Sequence, residues 1–307
     1  MLTVIVPAYN HEDFIIECLE SIVKIELPDF KVIVVDDGSV DATAERVSKF
    51  VEAHPFVAIE LVTKKNAGLV SSLNLGLAMS AEGYIYFVAS DDIPCPEGLV
   101  SCINALDQDP SLNFCVGGGV NFFEEGGQSE TPIYGAAQNR FFKMKGCDRE
   151  AEMFLRYPSP ILLQSTVFRV AALKAIGGWD NKLTLDDFPT FVKLLTLYPE
   201  CDKDFLFKPE INVVRYRQHG SNSYKNMLRH FKIVRQSLIV LTPAYLKPRA
   251  LGTAVGFYTL VALKRLDVRT ALSILFSSGA KAFGYGLMAM ASLICAKAKH
   301  YIVREGK

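Results

Sequence analysis

The sequence has 307 residues, of which 50% are hydrophobic and 11% aromatic, so the chain can bury a full core. This composition excludes an intrinsically disordered protein. The formal net charge is zero, but residues 226–307 hold 13 of the 33 basic side chains and 2 of the 33 acidic ones, which leaves 20 and 31 for residues 1–225.

The charge asymmetry predicts that the C-terminal part meets an anionic surface. Its apolar content favours membrane lipid over nucleic acid, although packing against the acidic part of the same chain is an alternative. The seven cysteines include no C-x-x-C pair, which is typical of core residues in a reducing compartment. No secretory signal pattern is recognisable at the N-terminus, so we expect a cytosolic location.

Strands alternate with helical patterns at the start of the chain. Continuous apolar runs predict strands over residues 2–7, 31–35, 58–62 and 83–92. Helical spacing predicts helices over residues 11–25, 41–53 and 66–81, the first capped by Asn10 or Asp13. Such alternation is typical of an α/β fold with a mostly parallel sheet flanked by helices.

The strand over residues 83–92 ends on two adjacent carboxylates, Asp91 and Asp92. Ligands of open α/β sheets bind beyond the carboxyl ends of the strands, and two oxygen donors there suit a divalent cation that carries phosphates. A solvated turn closed by Pro94 is the alternative. The loops at 7–10 and 36–39 fall on the same edge of the sheet. This half of the chain has no glycine-rich dinucleotide-binding motif and no Walker motif, which disfavours a phosphate-binding loop of either type.

The sequence pattern is less regular after the predicted parallel strands. Residues 117–150 are rich in glycine and polar side chains, which predicts a loop or mobile flap. Residues 161–170 regain an apolar pattern, followed by a short helix over 171–176 and an apolar helix through Leu197. A last strand is predicted to begin at Val213 and to run into a polar loop.

Several ordered motifs together resemble those of bacterial family 2 glycosyltransferases with the GT-A fold. The resemblance covers about residues 2–223 and rests on residues 4–10, 34–41, 66–68, 90–92, 177–180, 186–187 and 219–223. It implies a nucleotide-diphosphate sugar as donor and a divalent cation, Mn²⁺ or Mg²⁺, as cofactor. The donor-binding residues that it implies are Pro7, Ala8, Tyr9, Asp36, Asp37, Asn66, Gly68, Ser90 and Asp91.

Within that set, the resemblance implies that Pro7 and Tyr9 line the nucleobase and ribose pocket. Asp37 would contact the base, while Asp36 supports the turn. Asp91 and Asp92 stand for the metal-binding D-x-D motif, with Asp92 as the direct ligand and Ser90 in place of the first aspartate. His219 would complete the metal shell or touch the diphosphate, unless it is an ordinary loop residue.

Transfer to a hydroxyl group needs a carboxylate as general base, because the hydroxyl loses its proton as it attacks. The resemblance assigns this role to the acidic pair before a helix, and we expect Asp187 to be the base, with Asp186 second. An N-cap role is the alternative. Trp179 and Asp180 are the expected acceptor contacts, although an aromatic residue after two glycines can simply pack the turn.

Residues 226–307 fall outside these motifs and form a separate region beside a catalytic domain of residues 1–225. The apolar stretches 251–263 and 282–296 have basic flanks and are short for crossing a bilayer, so we expect helices that lie on an anionic membrane surface. The alternatives are a soluble helical hairpin that packs on the catalytic domain or on a second subunit in a homo-oligomer, and transmembrane insertion.

These expectations combine into one function. The chain would be an inverting, metal-dependent glycosyltransferase, peripheral on the inner face of the plasma membrane, that acts on a lipid-linked precursor of O-antigen, capsule or exopolysaccharide. One alternative is a nucleotide-sugar-binding scaffold with little or no turnover. A sugar-phosphate nucleotidyltransferase is disfavoured, because residues 7–10 lack the glycine-rich, basic loop that it would need.

Overall fold

A computed structural model describes residues 1–123, 129–218, 226–277 and 279–305, with side chains described up to residue 295. The chain divides into two compact units. The first comprises Met1–Arg149 with Pro158–His219, and the second comprises Glu150–Tyr157 with Gly220–Lys307. The main division therefore falls a few residues before the domain boundary proposed from the sequence, and the short segment 150–157 joins the second unit.

The first unit is built on one sheet of nine strands. These are β1 (Leu2–Ala8), β2 (Phe30–Asp36), β3 (Ile59–Thr63), β4 (Tyr84–Phe87), β5 (Ile93–Pro94), β6 (Phe114–Phe123), β7 (Thr131–Pro132), β8 (Thr166–Arg169) and β9 (Phe205–Gln218). Their order is β3-β2-β1-β4-β8-β6-β9-β5, with β7 beside β6. The four strands from β3 to β4 are parallel to one another, whereas β8 is antiparallel to both of its neighbours.

Helices cover this sheet and connect its strands. They are α1 (Ile15–Ile22), α2 (Thr43–Ala53), α3 (Leu69–Met79), α4 (Pro96–Asp107), α5 (Ala136–Lys143), α7 (Val170–Ala175) and α8 (Asp187–Leu197). A further helix, α6 (Gly146–Leu155), begins in the first unit and continues into the segment that belongs to the second. Val4, Ile5 and Val34 are fully buried, as expected for strands covered on both faces. The predicted α/β class, with helices flanking the sheet, is confirmed, and the sheet becomes mixed beyond β4.

The first helix begins later than its apolar spacing predicts. Phe14 is its N-cap residue and makes no side-chain capping hydrogen bond, so the predicted cap by Asn10 or Asp13 is wrong. The physical reason lies in the preceding loop. Asn10 has a left-handed backbone (φ 53°), and its side-chain oxygen accepts a hydrogen bond from the amide of Val40 instead.

The predicted loop over residues 117–150 is largely regular structure. Gly117, Gly118 and Gly119 lie inside β6, and α5 and the start of α6 follow. A β-carbon at Gly118 would collide with the carbonyl oxygen of Pro209 on the neighbouring strand β9. The glycines therefore permit a close approach of two strand backbones, where the register also shifts. Residues 124–128 of the predicted flap lie outside the described residues.

The second unit is helical. Its helices are α9 (Met227–Leu241), α10 (Lys247–Lys264), α11 (Val268–Leu275) and α12 (Gly279–Glu305). Phe231, Val255 and Ile274 form its small core, and most of the exposed large hydrophobic side chains that the structure describes belong to this unit. In the described part of the chain, no helix is both long enough and apolar enough to traverse a bilayer.

Candidate active site

The ends of β1 and β2 meet at one edge of the sheet. Ala8 pairs in register with Asp36, and the amide of Asp37 donates a 2.9 Å hydrogen bond to the carbonyl oxygen of Ala8. Ala8 is buried, whereas Tyr9 is 45% exposed just beyond the strand. The structure therefore brings the predicted donor residues Pro7, Ala8 and Tyr9 next to the acidic pair that follows β2.

The loops after β1 and β2 hold each other in place. The amide of Asn10 donates to Oγ of Ser39 at 2.9 Å, and the amide of Val40 donates to Oδ1 of Asn10 at 2.9 Å. Asp36 accepts hydrogen bonds from the amide and the hydroxyl of Ser39, at 3.2 and 2.5 Å. These bonds join the two loops into a single pre-formed rim, with Asp36 as the acceptor that closes the turn.

Asp37 anchors a third loop to this rim. Its carboxylate is 5% exposed and pairs with the ammonium group of Lys64. The amides of Ala67 and Gly68 also donate to it, at 2.9 and 2.8 Å. The carboxylate thus fixes the segment that carries Asn66 and Gly68, both exposed at the same edge. Holding this loop is a role of Asp37 that the sequence did not indicate.

The two carboxylates after β4 have different surroundings. Asp92 is 1% exposed, and its oxygens accept hydrogen bonds from the amide of Arg217 at 2.8 Å and from Nε2 of Gln164 at 3.0 Å. The side chain of Asp91 is 16% exposed. Asp91 is therefore the more accessible of the two carboxylates at this edge of the sheet, and the role of Asp92 as direct ligand stays a prediction.

An imidazole lies beside this pair. Nδ1 of His11 is 2.7 Å from Oγ of Ser90, and Nε2 of His11 is 4.0 Å from Oδ2 of Asp91. Ser90 is fully buried, and the amide of His11 donates to Oγ1 of Thr43 at 2.9 Å. One histidine thus connects the rim formed by the loops after β1 and β2, called the donor rim below, to the turn that carries Asp91 and Asp92, called the acidic turn.

The proposed base lies at the start of α8. Asp187 is the first residue of the helix, and its Oδ1 accepts a 2.7 Å hydrogen bond from the amide of Leu163. Asp186 is the N-cap residue by position, but its side chain makes no capping hydrogen bond. The side-chain cap offered as the alternative is therefore not formed. Leu163 belongs to a short 3₁₀ turn, Leu163–Ser165, which also supplies the Gln164 bond to Asp92.

Burial and mutual repulsion raise the pKa values of the clustered carboxyl groups. Burial, followed by repulsion from Asp186 and then Asp92, raises the pKa of Asp187 well above its ordinary value. Burial and the charge of Asp91 raise the pKa of Asp92 in the same direction. Since Asp187 is influenced by the charge of Asp92, the proposed base and the acidic turn share one electrostatic environment.

Trp179 and Asp180, the predicted acceptor residues, are held by local contacts. The indole of Trp179 is 5% exposed and packs edge-on against Phe87, with ring centroids 4.9 Å apart. The backbone of Trp179 exchanges two hydrogen bonds with the side chain of Asn74. Asp180 accepts a bond from the amide of Lys182 at 2.8 Å. These contacts correspond to the turn-packing alternative, and acceptor contact stays a proposal.

The donor set of this edge fits a divalent cation that reaches the protein with a diphosphate. Such cations are commonly held by one or two carboxylates, with phosphate oxygens and water as the other ligands. Asp91 provides a partly exposed carboxylate, and the crowded negative charge around Asp92 would be relieved by a cation. Among the described residues, no three His, Cys, Asp or Glu side chains converge on a metal position, and His219 lies outside them.

Four side chains of the site were missed by the sequence analysis. They are His11, Lys64, Gln164 and Arg217. The first two adjoin recognised motifs, whereas the last two reach the acidic turn from distant strands and turns. The guanidinium of Arg217 is buried, donates to the carbonyl oxygen of Asp91 at 2.6 Å and pairs with Glu17. No local pattern marks such a contact in advance.

Comparisons with known proteins agree with this architecture. The sheet, with its acidic loops at one edge, has the GT-A fold, which similar solved structures share. The sequence model of the family described as Glycosyl transferase family 2 matches residues 3–168. This match spans more than half of the 307 residues, and the chain therefore belongs to glycosyl transferase family 2.

Individual relatives are distant. A poly-β-1,6-N-acetyl-D-glucosamine synthase of Staphylococcus epidermidis is 24% identical over 194 residues, which cover 63% of this chain and 45% of the synthase. The chain thus spans less than half the length of this curated relative. S. aureus TarS 1–349 in complex with UDP-GlcNAc has a TM-score of 0.60 at 16% identity, over 96% of this chain and 92% of that structure.

A mannosyltransferase from Pyrobaculum calidifontis, PcManGT, in complex with GDP-Man and Mn²⁺ is similarly related. Its TM-score is 0.58 at 19% identity, and the match covers 98% of this chain and 80% of that structure. At these identities the structural matches show the shared fold.

Proposed function

We propose that the chain transfers a sugar from a nucleotide-diphosphate donor to a hydroxyl group of a glycan acceptor, with inversion at the sugar carbon. The observation that carries the proposal is the arrangement at one sheet edge. His11 connects the donor rim to the acidic turn at Asp91 and Asp92. Hydrogen bonds from Gln164 and Leu163 connect that turn to the half-buried carboxylate of Asp187. The relatives crystallised with UDP-GlcNAc and GDP-Man support a nucleotide-sugar donor.

The donor would lie across the rim formed by the loops after β1, β2 and β3. Asp37 holds the third of these loops, and Tyr9 offers an exposed ring for the nucleoside. A bound Mn²⁺ or Mg²⁺ would stabilise the negative charge that develops on the leaving nucleotide. We assign the direct carboxylate contact to Asp91 and a positioning role to Asp92, with His219 as a further proposed ligand.

Asp187 would take the proton of the acceptor hydroxyl. Its Oδ1 is held by the amide of Leu163, so we assign the proton to Oδ2. The raised pKa suits a base, because a carboxylate whose pKa lies nearer to neutrality accepts a proton more readily. Attack from the side opposite the leaving nucleotide would invert the sugar carbon. Trp179 and Asp180 stay the proposed acceptor contacts.

We further propose that the second unit binds an anionic membrane surface and that the acceptor is lipid-linked. Lys247 and Lys281 line a groove together with Pro248 and Leu251 at the starts of α10 and α12. Basic groups beside exposed apolar side chains suit anionic headgroups above acyl chains. The enzyme would then work at the inner face of the plasma membrane on a cell-surface glycan precursor.

A donor-release screen tests the catalytic proposal. The purified chain is incubated with UDP-, GDP-, CMP- and dTDP-sugars in the presence of Mn²⁺, Mg²⁺ or EDTA, beside Asp91→Asn. Nucleotide release that requires both the cation and Asp91 supports the proposal and names the donor. Tight donor binding without release, even with lipid-linked acceptors added, would favour the scaffold alternative. If the chain binds none of these nucleotide sugars, the assignment is overturned.

Vesicle sedimentation tests the membrane proposal. The chain should sediment with vesicles that contain phosphatidylglycerol and not with pure phosphatidylcholine vesicles. Lys247→Glu combined with Lys281→Glu should weaken this binding about tenfold or more, since each basic residue near an anionic surface contributes about 1 kcal/mol. Lys49→Glu, a charge reversal on α2 of the first unit, is the matched control. Equal binding by all three proteins would contradict the proposed surface, and a dimer in solution would favour the oligomer alternative.

A further inference from the structure

We infer that His11 is a metal ligand of this site, acting beside Asp91 and oriented by Ser90. The inference rests on the proposed function, since it concerns the cation that would accompany the donor diphosphate. It adds a nitrogen ligand to the carboxylates of the D-x-D motif. Its support lies in three features of His11: its distance from Asp91, its bond to Ser90 and its fixed backbone.

The separation of His11 and Asp91 is suitable for two ligands of one ion. Nε2 of His11 and Oδ2 of Asp91 are 4.0 Å apart. Ligand atoms about 2.1 Å from one octahedral ion lie about 3.0 Å apart at right angles and about 4.2 Å apart on opposite sides. The observed distance lies inside this range and exceeds that of a direct hydrogen bond. A small side-chain adjustment would bring the pair to either arrangement.

Ser90 accounts for the orientation of the imidazole. Its hydroxyl is fully buried and lies 2.7 Å from Nδ1 of His11. When Nδ1–H donates to this oxygen, the neutral ring carries its lone pair on Nε2, which is the nitrogen nearer to Asp91. Histidine ligands of metals characteristically donate their other ring N–H to such an acceptor. The serine at the first D-x-D position thus has a defined role toward the cation.

The rest of His11 is fixed as well. Its amide donates to Oγ1 of Thr43 at 2.9 Å, and its ring packs edge-on against Phe14 with centroids 5.9 Å apart. The imidazole is 28% exposed, so an ion can reach it from solvent. A ligand held on its backbone, its ring face and its second nitrogen binds a cation with little loss of conformational entropy.

Electron paramagnetic resonance of Mn²⁺ bound to the full chain tests the inference directly. Mn²⁺ is titrated alone, with UDP and with GDP, and nitrogen hyperfine coupling to the bound ion is measured by pulsed methods. Because His219 would also contribute nitrogen, the measurement is made in His219→Ala protein and compared with His219→Ala combined with His11→Ala. His54→Ala is the matched control, since His54 stacks on Phe50 at the end of α2.

Nitrogen coupling should persist in His219→Ala and disappear when His11→Ala is added, with Mn²⁺ affinity about 10- to 100-fold weaker. Ser90→Ala should keep the coupling and weaken the affinity about tenfold, the size typical for a residue that orients a ligand. His54→Ala should change neither quantity. Coupling and affinity that survive His11→Ala would overturn the inference and leave His11 as a residue that only connects the two loops.

The same measurements separate this inference from the proposed function. If His11→Ala leaves Mn²⁺ binding intact while donor release still requires Asp91, only the ligand role of His11 is overturned. If the unmodified chain binds no Mn²⁺ under any condition, the ligand role falls. Donor release in the presence of EDTA would then show that the proposed transferase function persists without a bound cation.

Discussion

Nε2 of Gln164 donates a 3.0 Å hydrogen bond to Oδ2 of Asp92. The neighbouring amide of Leu163 donates a 2.7 Å bond to Oδ1 of Asp187. A single 3₁₀ turn therefore holds the carboxylate that follows β4 and the carboxylate that begins α8. The turn is itself fastened by Tyr134, whose hydroxyl accepts from the amide of Leu162 at 2.9 Å. The relative position of the two acids is thus set by one small, buried element.

Replacing Gln164 tests the importance of this turn. Gln164→Leu should lower kcat for donor release about 10- to 100-fold, because a buried acceptor that loses its partner costs about 1–3 kcal/mol. Gln164→Glu should lower it further, since another carboxylate joins an already repulsive cluster. Kinetics and circular dichroism are measured together. A fall in melting temperature with unchanged kcat in both variants would show that Gln164 serves stability alone.

Much of the sheet could be predicted from the sequence because its central strands are covered on both faces. The runs that became β1, β2 and β4 are largely apolar, and each ends near the acidic or polar residues of the site. Neighbouring parallel strands end at the same edge of a sheet. A parallel sheet therefore brings Asp36, Asp37 and Asp91 to one edge. Local sequence pattern was sufficient for this part of the site.

Contacts between distant segments could not be predicted in the same way. Gln164 and Asp92 are 72 positions apart, and Arg217 and Asp92 are 125 apart, so no periodicity or motif connects them. Gly118 was misinterpreted for a related reason. Glycine in a turn and glycine at a close approach of two strands look alike in a sequence, and only the neighbouring backbone of Pro209 distinguishes them.

Removing the proposed base should abolish transfer and leave donor binding. Asp187→Asn should lower kcat by about 10²- to 10⁴-fold, the usual contribution of general base catalysis, with donor affinity changed little. Calorimetric donor titration and a transfer assay measure the two quantities. Asp186→Asn is the matched control and should be much less impaired. A larger loss in Asp186→Asn than in Asp187→Asn would reverse the assignment of the base.

The pH profile should show an acid limb controlled by Asp187. The base works only when deprotonated, and burial together with the charge of Asp186 raises its pKa. Activity should therefore be lost as pH falls through this raised pKa and should recover above it. Asp186→Asn removes one repulsive charge, so the acid limb of log kcat should move to lower pH. An acid limb that moves to higher pH in this variant would contradict the assignment.

Variants of Asp37 test whether this residue only anchors the loop after β3 or also contacts the nucleobase of the donor. Its carboxylate pairs with Lys64 and accepts from the amides of Ala67 and Gly68. Asp37→Asn should raise donor KM about tenfold because the loop loses its ionic anchor. Lys64→Met should reproduce most of this rise without altering Asp37. If Asp37 also contacts the nucleobase of the donor, only Asp37→Asn should change the preference between UDP and GDP. Competition binding measures this preference.

The helices α10 and α12 should depend on glycine where their backbones approach. A β-carbon at Gly256 would lie 2.6 Å from the carbonyl oxygen of Gly286, so Gly256→Ala should force the helices apart and cost about 1–3 kcal/mol. Gly284 lies in α12 with nothing within 4 Å of such an added carbon. Gly284→Ala should therefore stabilise the helix by about 0.5–1 kcal/mol. Urea unfolding followed by circular dichroism at 222 nm measures both variants, and stabilisation by Gly256→Ala would contradict the close helix contact.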